Sequence, residues 1–435
     1  MHLDEILLSA LERGEASERF VLEILMEHVS TGCAACVGAI GAHRADPDRA
    51  RADLLALARN PVARIGRRLK VGERQLRADE REARRWVREI VRLEPGERYR
   101  RIYGAYSRFR GALFGVLLLE EARRAIPEDP AESLSLAEMA LLSCKRTSKE
   151  DPDPEVKAPA LAVRGNAKRA LGRLREAEED LLEARRLLHA PGFADPAFPA
   201  ELDSYFGSLR KDQRRLEEAE RHLRRAGTLY RLLEEPEKSA RVLLTLGAVH
   251  FRAGEFDAAV EASERALGLL GEDSEAWLRG YAHYDRAYFL HAAGKLDEAE
   301  QELVVHDSLI AAAGDGLDFR VVWLRARIAW SRGEPRKASK LFEEALRRAT
   351  TRGIPYDTSL LCLEMALVRL ADGRTGEVKK LAAEALQVFA EEEVEPEVRA
   401  ALALVEAAAR REALTQEAIE RAVAALERAQ KALGC

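Results

Sequence analysis

The sequence predicts an all-α protein built as an array of antiparallel helix pairs, and three observations predict it. A short turn signal recurs at Gly172, Arg214, Gly254, Gly294, Gly333, Gly373 and Ala413, in steps of 42, 40, 40, 39, 40 and 40 residues. Small residues keep fixed offsets from each of these turns. The composition is 47% hydrophobic and 33% charged but only 6% aromatic, with Ala, Leu, Glu and Arg frequent, as in long amphipathic helices. At 435 residues the chain exceeds one ordinary compact core and suits several domains or one extended array.

From the N-terminus, apolar residues at helical spacing (Leu3, Ile6, Leu7, Ala10, Leu11) predict a first helix over 3–13, with Gly14 as its stop. Ser17 can cap a second helix carrying Phe20, Val21, Ile24 and Leu25, which places His28 on its last turn. Cys33 and Cys36 open the next helical stretch, "CAACVGAIGAH". A Cys-x2-Cys turn at a helix start lets two thiolates face one tetrahedral centre, and His28 just upstream can reach it. The same residues also fit a metal-free redox pair, or two inert buried cysteines.

Residues 61–110 hold 16 Arg and Lys against 7 Asp and Glu, a local +9 in a chain of net charge -5. One reading is electrostatic contact with nucleic acid or an acidic protein. The favoured reading is a solvated helix laced with i,i+4 pairs such as Glu80–Arg84. Residues 111–150 resemble a degenerate helix pair leading into the array. The expected domains are a head at 1–43, an Arg-rich helical region at 44–150, and the repeats with a C-terminal cap at 151–435.

Within the array, seven residues before each turn stand Gly165, Gly207, Gly247, Ala287, Ala326, Ala366 and, as the exception, Glu406. Five after it come Ala177, Ala219, Ala259, Ala299, Ala338, Val378 and Ala418. Twelve after it come Ala184, Ala226, Ala266, His306, Ala345, Ala385 and Ala425. Two antiparallel helices joined by a short turn interdigitate only where the facing positions lack bulk. The turn glycine supplies a left-handed helix stop. Each pair leaves an apolar face that the next pair covers.

"LTLGAVHFRAGEFDAAVEASERAL" (244–267) and "VRGNAKRALGRLREAEEDLLEARRLL" (163–188) resemble the tetratricopeptide repeat family over roughly 155–433. The chain departs from that family in a period near 40 instead of 34 and in lacking its Trp and Tyr landmarks. The resemblance implies a right-handed superhelix whose first helices line a concave groove for a protein or peptide partner. Its groove positions would be Tyr284, Tyr288, His291, Trp323, Arg327 and Trp330, with Phe251 one repeat earlier. Amphipathic aromatics and Arg carry much of the binding energy at interfaces. Packing between repeats is the competing role for several of them, and His306 is expected to be a packing variant of the usual Ala.

The head spacing His2-x25-His28-x4-Cys33-x2-Cys36, with "LLSALERGEASERF" before it, resembles the zinc-binding anti-sigma factor module over residues 1–40. It departs by placing four residues, not three, between His28 and Cys33. The resemblance implies zinc held by His2, His28, Cys33 and Cys36, and a sigma factor or other transcription regulator as partner. From spacing alone, only the last three are candidate ligands.

No phosphate-binding loop, nucleophile elbow or His-Glu-x2-His motif occurs, so catalysis is not expected. The acidic N-terminus is unlike a signal peptide, no apolar run reaches the ~18 residues of a membrane span, and five unpaired cysteines suit a reducing cytoplasm. The expectation is a cytoplasmic bacterial adaptor or regulator without enzymatic activity. The alternatives are a scaffold subunit of a signalling or defence complex with a metal-free head, and a nucleic-acid-associated regulator using residues 61–110.

Overall fold

A computed structural model describes residues 55–412 except 57, 69–70, 105–110, 128, 145–153, 189–192, 194, 315–316, 353–354 and 392–401. The candidate zinc ligands His2, His28, Cys33 and Cys36 lie outside the described residues, as does most of the C-terminal cap. Among the described residues the regular elements are helices and there is no strand. None of these helices is long and apolar enough to cross a membrane. The chain divides into two compact units, 1–273 and 274–435.

The first unit contains α1 (Pro61–Arg68), α2 (Glu73–Val91), α3 (Pro95–Gly104), α4 (Ala112–Ala125), α5 (Pro130–Cys144), α6 (Pro154–Ala170), α7 (Leu174–Leu187), α8 (Phe198–Asp212), α9 (Leu216–Leu232), α10 (Pro236–Ala253) and α11 (Phe256–Leu269). Helices α4 to α11 pack as successive pairs. One hydrophobic core runs from Val62 to Leu209, on both sides of the boundary expected near residue 150. Helix α1 is held against the repeats by Arg64, which is buried and donates to Glu155 at 3.0 Å and to Asp195 at 2.5 Å. Just before it, Arg59 donates to the Glu234 carbonyl at 3.0 Å. In the Arg-rich stretch, Arg84 pairs with Glu80 at 2.9 Å, Arg98 with Glu132 at 2.5 Å and Arg101 with Glu89 at 2.7 Å. Only the first is the expected i,i+4 pair within one helix; Arg98 is buried and joins α3 to α5, and Arg101 reaches back to α2.

The second unit contains α12 (Ala276–Ala292), α13 (Leu296–Val305), α14 (Asp307–Ala312), α15 (Asp318–Ser331), α16 (Pro335–Arg352), α17 (Pro355–Ala371) and α18 (Thr375–Glu391), followed by helical residues 402–412. Its core joins Phe319, Trp323, Phe342, Leu361 and Leu381 to Ala408.

The six described turns of the series share one geometry. Gly172, Arg214, Gly254, Gly294, Gly333 and Gly373 have φ between 63° and 81°, in the left-handed region. After each, the next N–H donates to a carbonyl five residues back: Arg173 to Lys168, Arg215 to Arg210, Glu255 to His250, Lys295 to Leu290, Glu334 to Ala329 and Arg374 to Arg369. All six bonds are 2.8–2.9 Å long. This is the Schellman closure, which satisfies the last carbonyls of a helix. Arg214 adopts it without glycine, at a strain of about 1–2 kcal/mol.

The small residues behave as their spacing predicts. Ala177, Ala219, Ala259, Ala299, Ala338 and Val378 are fully buried, and so are Ala184, Ala226, Ala266, Ala345 and Ala385. A Cβ on Gly165 would come within 3.1 Å of the Ala177 carbonyl, and one on Gly207 within 3.3 Å of the Ala219 carbonyl. His306 breaks the pattern, because the second helix of its pair stops at Val305 and restarts at Asp307, with His306 at φ -107° and ψ 19° between them. The restarted α14 then lies so close to α12 that a Cβ on Gly280 would stand 2.3 Å from the Leu309 carbonyl and 2.9 Å from Ala313 Cβ.

At an open helical position Gly→Ala stabilises by about 1 kcal/mol. At Gly280 the obstacle is backbone, so G280A is expected to destabilise the second unit by about 1–3 kcal/mol, as overpacking does. Denaturant titration of the full chain checks the sign, and a gain in stability would show that α14 does not press on α12.

Candidate functional site

The first helices of the three pairs in the second unit, α12, α15 and α17, carry a connected set of large polar-edged side chains. Tyr284 and Tyr288, one turn apart on α12, stack with ring centroids 6.3 Å apart. Arg327 on α15 lies 5.3 Å from the Tyr288 ring and 4.4 Å from the Trp323 ring. Its Nε donates at 2.8 Å to Glu364 Oε2 on α17, and a second guanidinium nitrogen pairs with Oε1. Trp323 Nε1 donates to the same Glu364 oxygen at 2.7 Å. One planar cation thus ties three successive first helices, through two aromatic faces and a forked carboxylate bond that lysine could not reproduce.

That geometry separates residues the sequence placed in one group. Trp323 is only 7% exposed, and Tyr288 and Arg327 are half-buried, so these three spend much of their surface on neighbouring repeats. Trp330, by contrast, is 37% exposed, and Leu367 on α17, in the register of Arg327, is 49% exposed. His291 is half-buried, with Nε2 at 3.2 Å from Ser331 Oγ on the next first helix. Burial, and then the Arg327 charge, hold its imidazole below the usual histidine range. Burial raises the Tyr284 phenol. Phe251 belongs to the other unit, where its ring packs on Phe256 at 5.7 Å. Glu364 and Leu367 were not singled out from the sequence. Leu367 follows the small residue Ala366, which is the register of Tyr288 and Arg327, so the repeat spacing contained that signal. The carboxylate that recruits Arg327 did not show in it.

Two other clusters of titratable groups stand out. In the first unit a cavity of about 500 Å³ is lined by Arg64, Arg123, Glu155, Asp195, Glu201 and Tyr230, among others. Its charges face each other: Arg123 grips Glu201 with bonds of 2.5 and 2.8 Å, and Tyr205 donates to Glu201 at 2.8 Å. Burial opposes ionisation of Glu201, yet Arg123 and the hydrogen bonds hold its carboxyl below the usual range. In the second unit His283, Glu302 and His306 converge. His283 Nδ1 lies 2.7 Å from Glu302 Oε1, and Arg286 pairs with the other Glu302 oxygen. Burial opposes ionisation of Glu302 too, but the His283 bond and the Arg286 charge outweigh it. His306 is held below the usual histidine range by burial and by His283. Cys362 is buried, and burial pushes its thiol up to about 11, well short of a nucleophilic thiolate at neutral pH.

Residues 199–272 match the tetratricopeptide repeat family. No curated protein matches the chain. Among solved structures, a Rap protein complexed with competence and sporulation factor is 13% identical, with a TM-score of 0.54 over 71% of this chain and 91% of that one. The apo form of the quorum sensor NprR from B. thuringiensis is 14% identical, with a TM-score of 0.47 over 75% and 99%. A tetratricopeptide repeat protein from Parabacteroides merdae is 16% identical, with a TM-score of 0.42 over 66% and 98%. The chain therefore has a tetratricopeptide-like helical repeat fold.

The surroundings of His291 give a titration prediction. Its folded pKa lies below the unfolded value near 6.5, so the unfolded chain takes up the proton first. Its contribution to stability is present above about pH 6.5 and is lost as pH falls through that value toward the folded pKa. An NMR titration should give a His291 midpoint below 6.5. A midpoint at or above it would show that burial, with the Arg327 charge behind it, does not govern this ring.

Proposed function

We propose that the protein is a non-enzymatic adaptor or regulator that holds a peptide or helix of a protein partner along the first helices of its repeats. The observation that carries this reading is the contiguous α12–α15–α17 face. There a rigid Tyr–Arg–Trp–Glu framework presents Trp330 and Leu367, both incompletely covered, beside Tyr284 and His291. Large aromatic side chains pre-set by their neighbours lose little entropy on binding. A Rap protein of similar fold was crystallised with competence and sporulation factor, which supports a regulatory binding role for such a fold.

The test is affinity capture with the full chain after cross-linking in the native cell, run beside W330A/L367A. Both positions are on the surface, so circular dichroism should show an unchanged fold. The expected result is at least one partner whose purified form binds the variant about 10–30-fold more weakly, the size of a hot-spot loss. Equal binding of every captured partner to both proteins would remove this face from the function.

The head extends the proposal. By its resemblance to the anti-sigma module, residues 1–43 would hold zinc through His2, His28, Cys33 and Cys36 and contact a sigma factor or another transcription regulator. Elemental analysis of chelator-free protein should then show a drop of one zinc per chain in C33S/C36S. An unchanged metal content would dispose of the thiolate site and leave the repeats as a scaffold that acts through its first helices alone.

A further inference from the structure

We propose that His283, Glu302 and His306 form a binding site for a divalent first-row transition-metal ion, separate from any site in the head. The three side chains come from the two helices of a single pair. His283 lies on α12, Glu302 on α13, and His306 at the break four residues beyond Glu302. One donor atom from each falls within 4.8 Å of the others. Two imidazoles and a carboxylate suit zinc, cobalt, nickel or copper, and a set of three leaves a position for water or a partner's ligand.

The repeat supplies an internal comparison. Two pairs earlier in the array, Asp203 and His222 occupy the positions of His283 and Glu302 with acid and base exchanged, and they meet at the same 2.7 Å. There the position corresponding to His306 is Ala226, fully buried. An acid–imidazole bond between paired helices is therefore an ordinary packing device in this chain. What is added at 283–306 is a third donor, and it comes with a broken helix. An imidazole serving only as filler would be poorly matched to a position where Ala is otherwise buried, while the break turns His306 outward to 30% side-chain exposure and opens a route from solvent.

The distances require small movements. His283 Nδ1 and His306 Nε2 stand 2.7 and 3.9 Å from Glu302 Oε1, and the two rings stack 3.6 Å apart with 14° between their planes. A tetrahedral ion about 2.0–2.1 Å from each donor needs donor separations of about 3.3 Å. The first distance must open and the second close by roughly equal amounts, with the His306 ring tilting out of the stack. Because His306 sits between two helices instead of inside one, that tilt does not disturb a helical turn. Arg286 grips the other Glu302 oxygen and so aims Oε1 at the imidazoles, an orienting role that outer partners of metal ligands commonly fill. Its charge also opposes the incoming cation.

The experiment uses the full chain carrying C33S/C36S, so that head thiolates cannot take the metal. The protein is stripped of metal and titrated with Zn2+ by calorimetry and with Co2+ by visible absorption. The comparison variant adds H306A, which installs the residue that six other pairs carry and should fold. We expect one Zn2+ per chain with saturable Co2+ d–d bands, and affinity at least about 100-fold weaker once His306 is gone. A thermal shift with Zn2+ should likewise appear only with His306 present. The proposal is overturned if the starting protein takes up no ion, or if H306A binds Zn2+ and Co2+ as before, which would locate the metal on other histidines.

Discussion

The contact on which the rest of this structure depends is the approach of each first helix to its partner across residues with almost no side chain. Gly207 lies so near the Ala219 carbonyl that even a methyl group would crowd it, and buried alanines five and twelve residues after most of the described turns repeat that closeness. Packing at this separation gains many weak dispersion contacts and leaves no room for water. It also dictates where large residues can go. With the seam filled by glycine, alanine and the leucines that press on them, such as Leu181 and Leu223, tyrosine, tryptophan and arginine are left to the outer faces, where neighbouring repeats meet them.

Polar ties between neighbouring pairs then select among the arrangements that apolar packing would tolerate. Arg169 reaches Asp212 at 2.6 Å, Arg210 reaches Glu178 at 2.7 Å, and Arg332 reaches Asp297 at 2.6 Å. The first two are partly buried and carry a desolvation penalty that offsets much of their attraction, while Asp297 is exposed and its pair adds little, so their contribution is to register more than to stability. Arg327 combines both roles. Its bond to Glu364 fixes one first helix against the next, and its faces against Tyr288 and Trp323 hold those rings still. A binding surface built on such a framework is shaped before any partner arrives.

The spacing of turns and small residues was legible in the sequence because it reports backbone geometry directly. A left-handed φ at Gly254 or Gly294 and a closed seam at Ala259 or Ala299 leave little freedom in residue choice. Arg214 was placed by the period alone, against local preference. The candidate site was legible only in part. Repeat register put Tyr284, Tyr288, Trp323, Arg327 and Trp330 on neighbouring first helices. Which of them are occupied by contacts between repeats depends on rotamers and on Glu364, and neither is encoded in spacing. His306 shows the same limit. It was visible as an exception to alanine, but the helix break and the approach of His283 follow from how α12 and α13 pack, which a linear pattern does not carry. The docking of α1 through Arg64 to Glu155 and Asp195 spans more than ninety residues and left no local trace.

Within each unit, helix pairs pack chiefly against the pairs beside them in the chain. Such an arrangement behaves as a row of coupled links instead of one cooperative body. Damage at one seam can be contained by its neighbours, and a tract can open while adjacent tracts stay shut. The sharpness of a thermal transition in this protein therefore measures the strength of coupling between links, not the size of any core. Growth or loss of the row by one whole link would leave the remaining seams chemically intact, which is how a chain of this kind can change its reach without having to reinvent its interior.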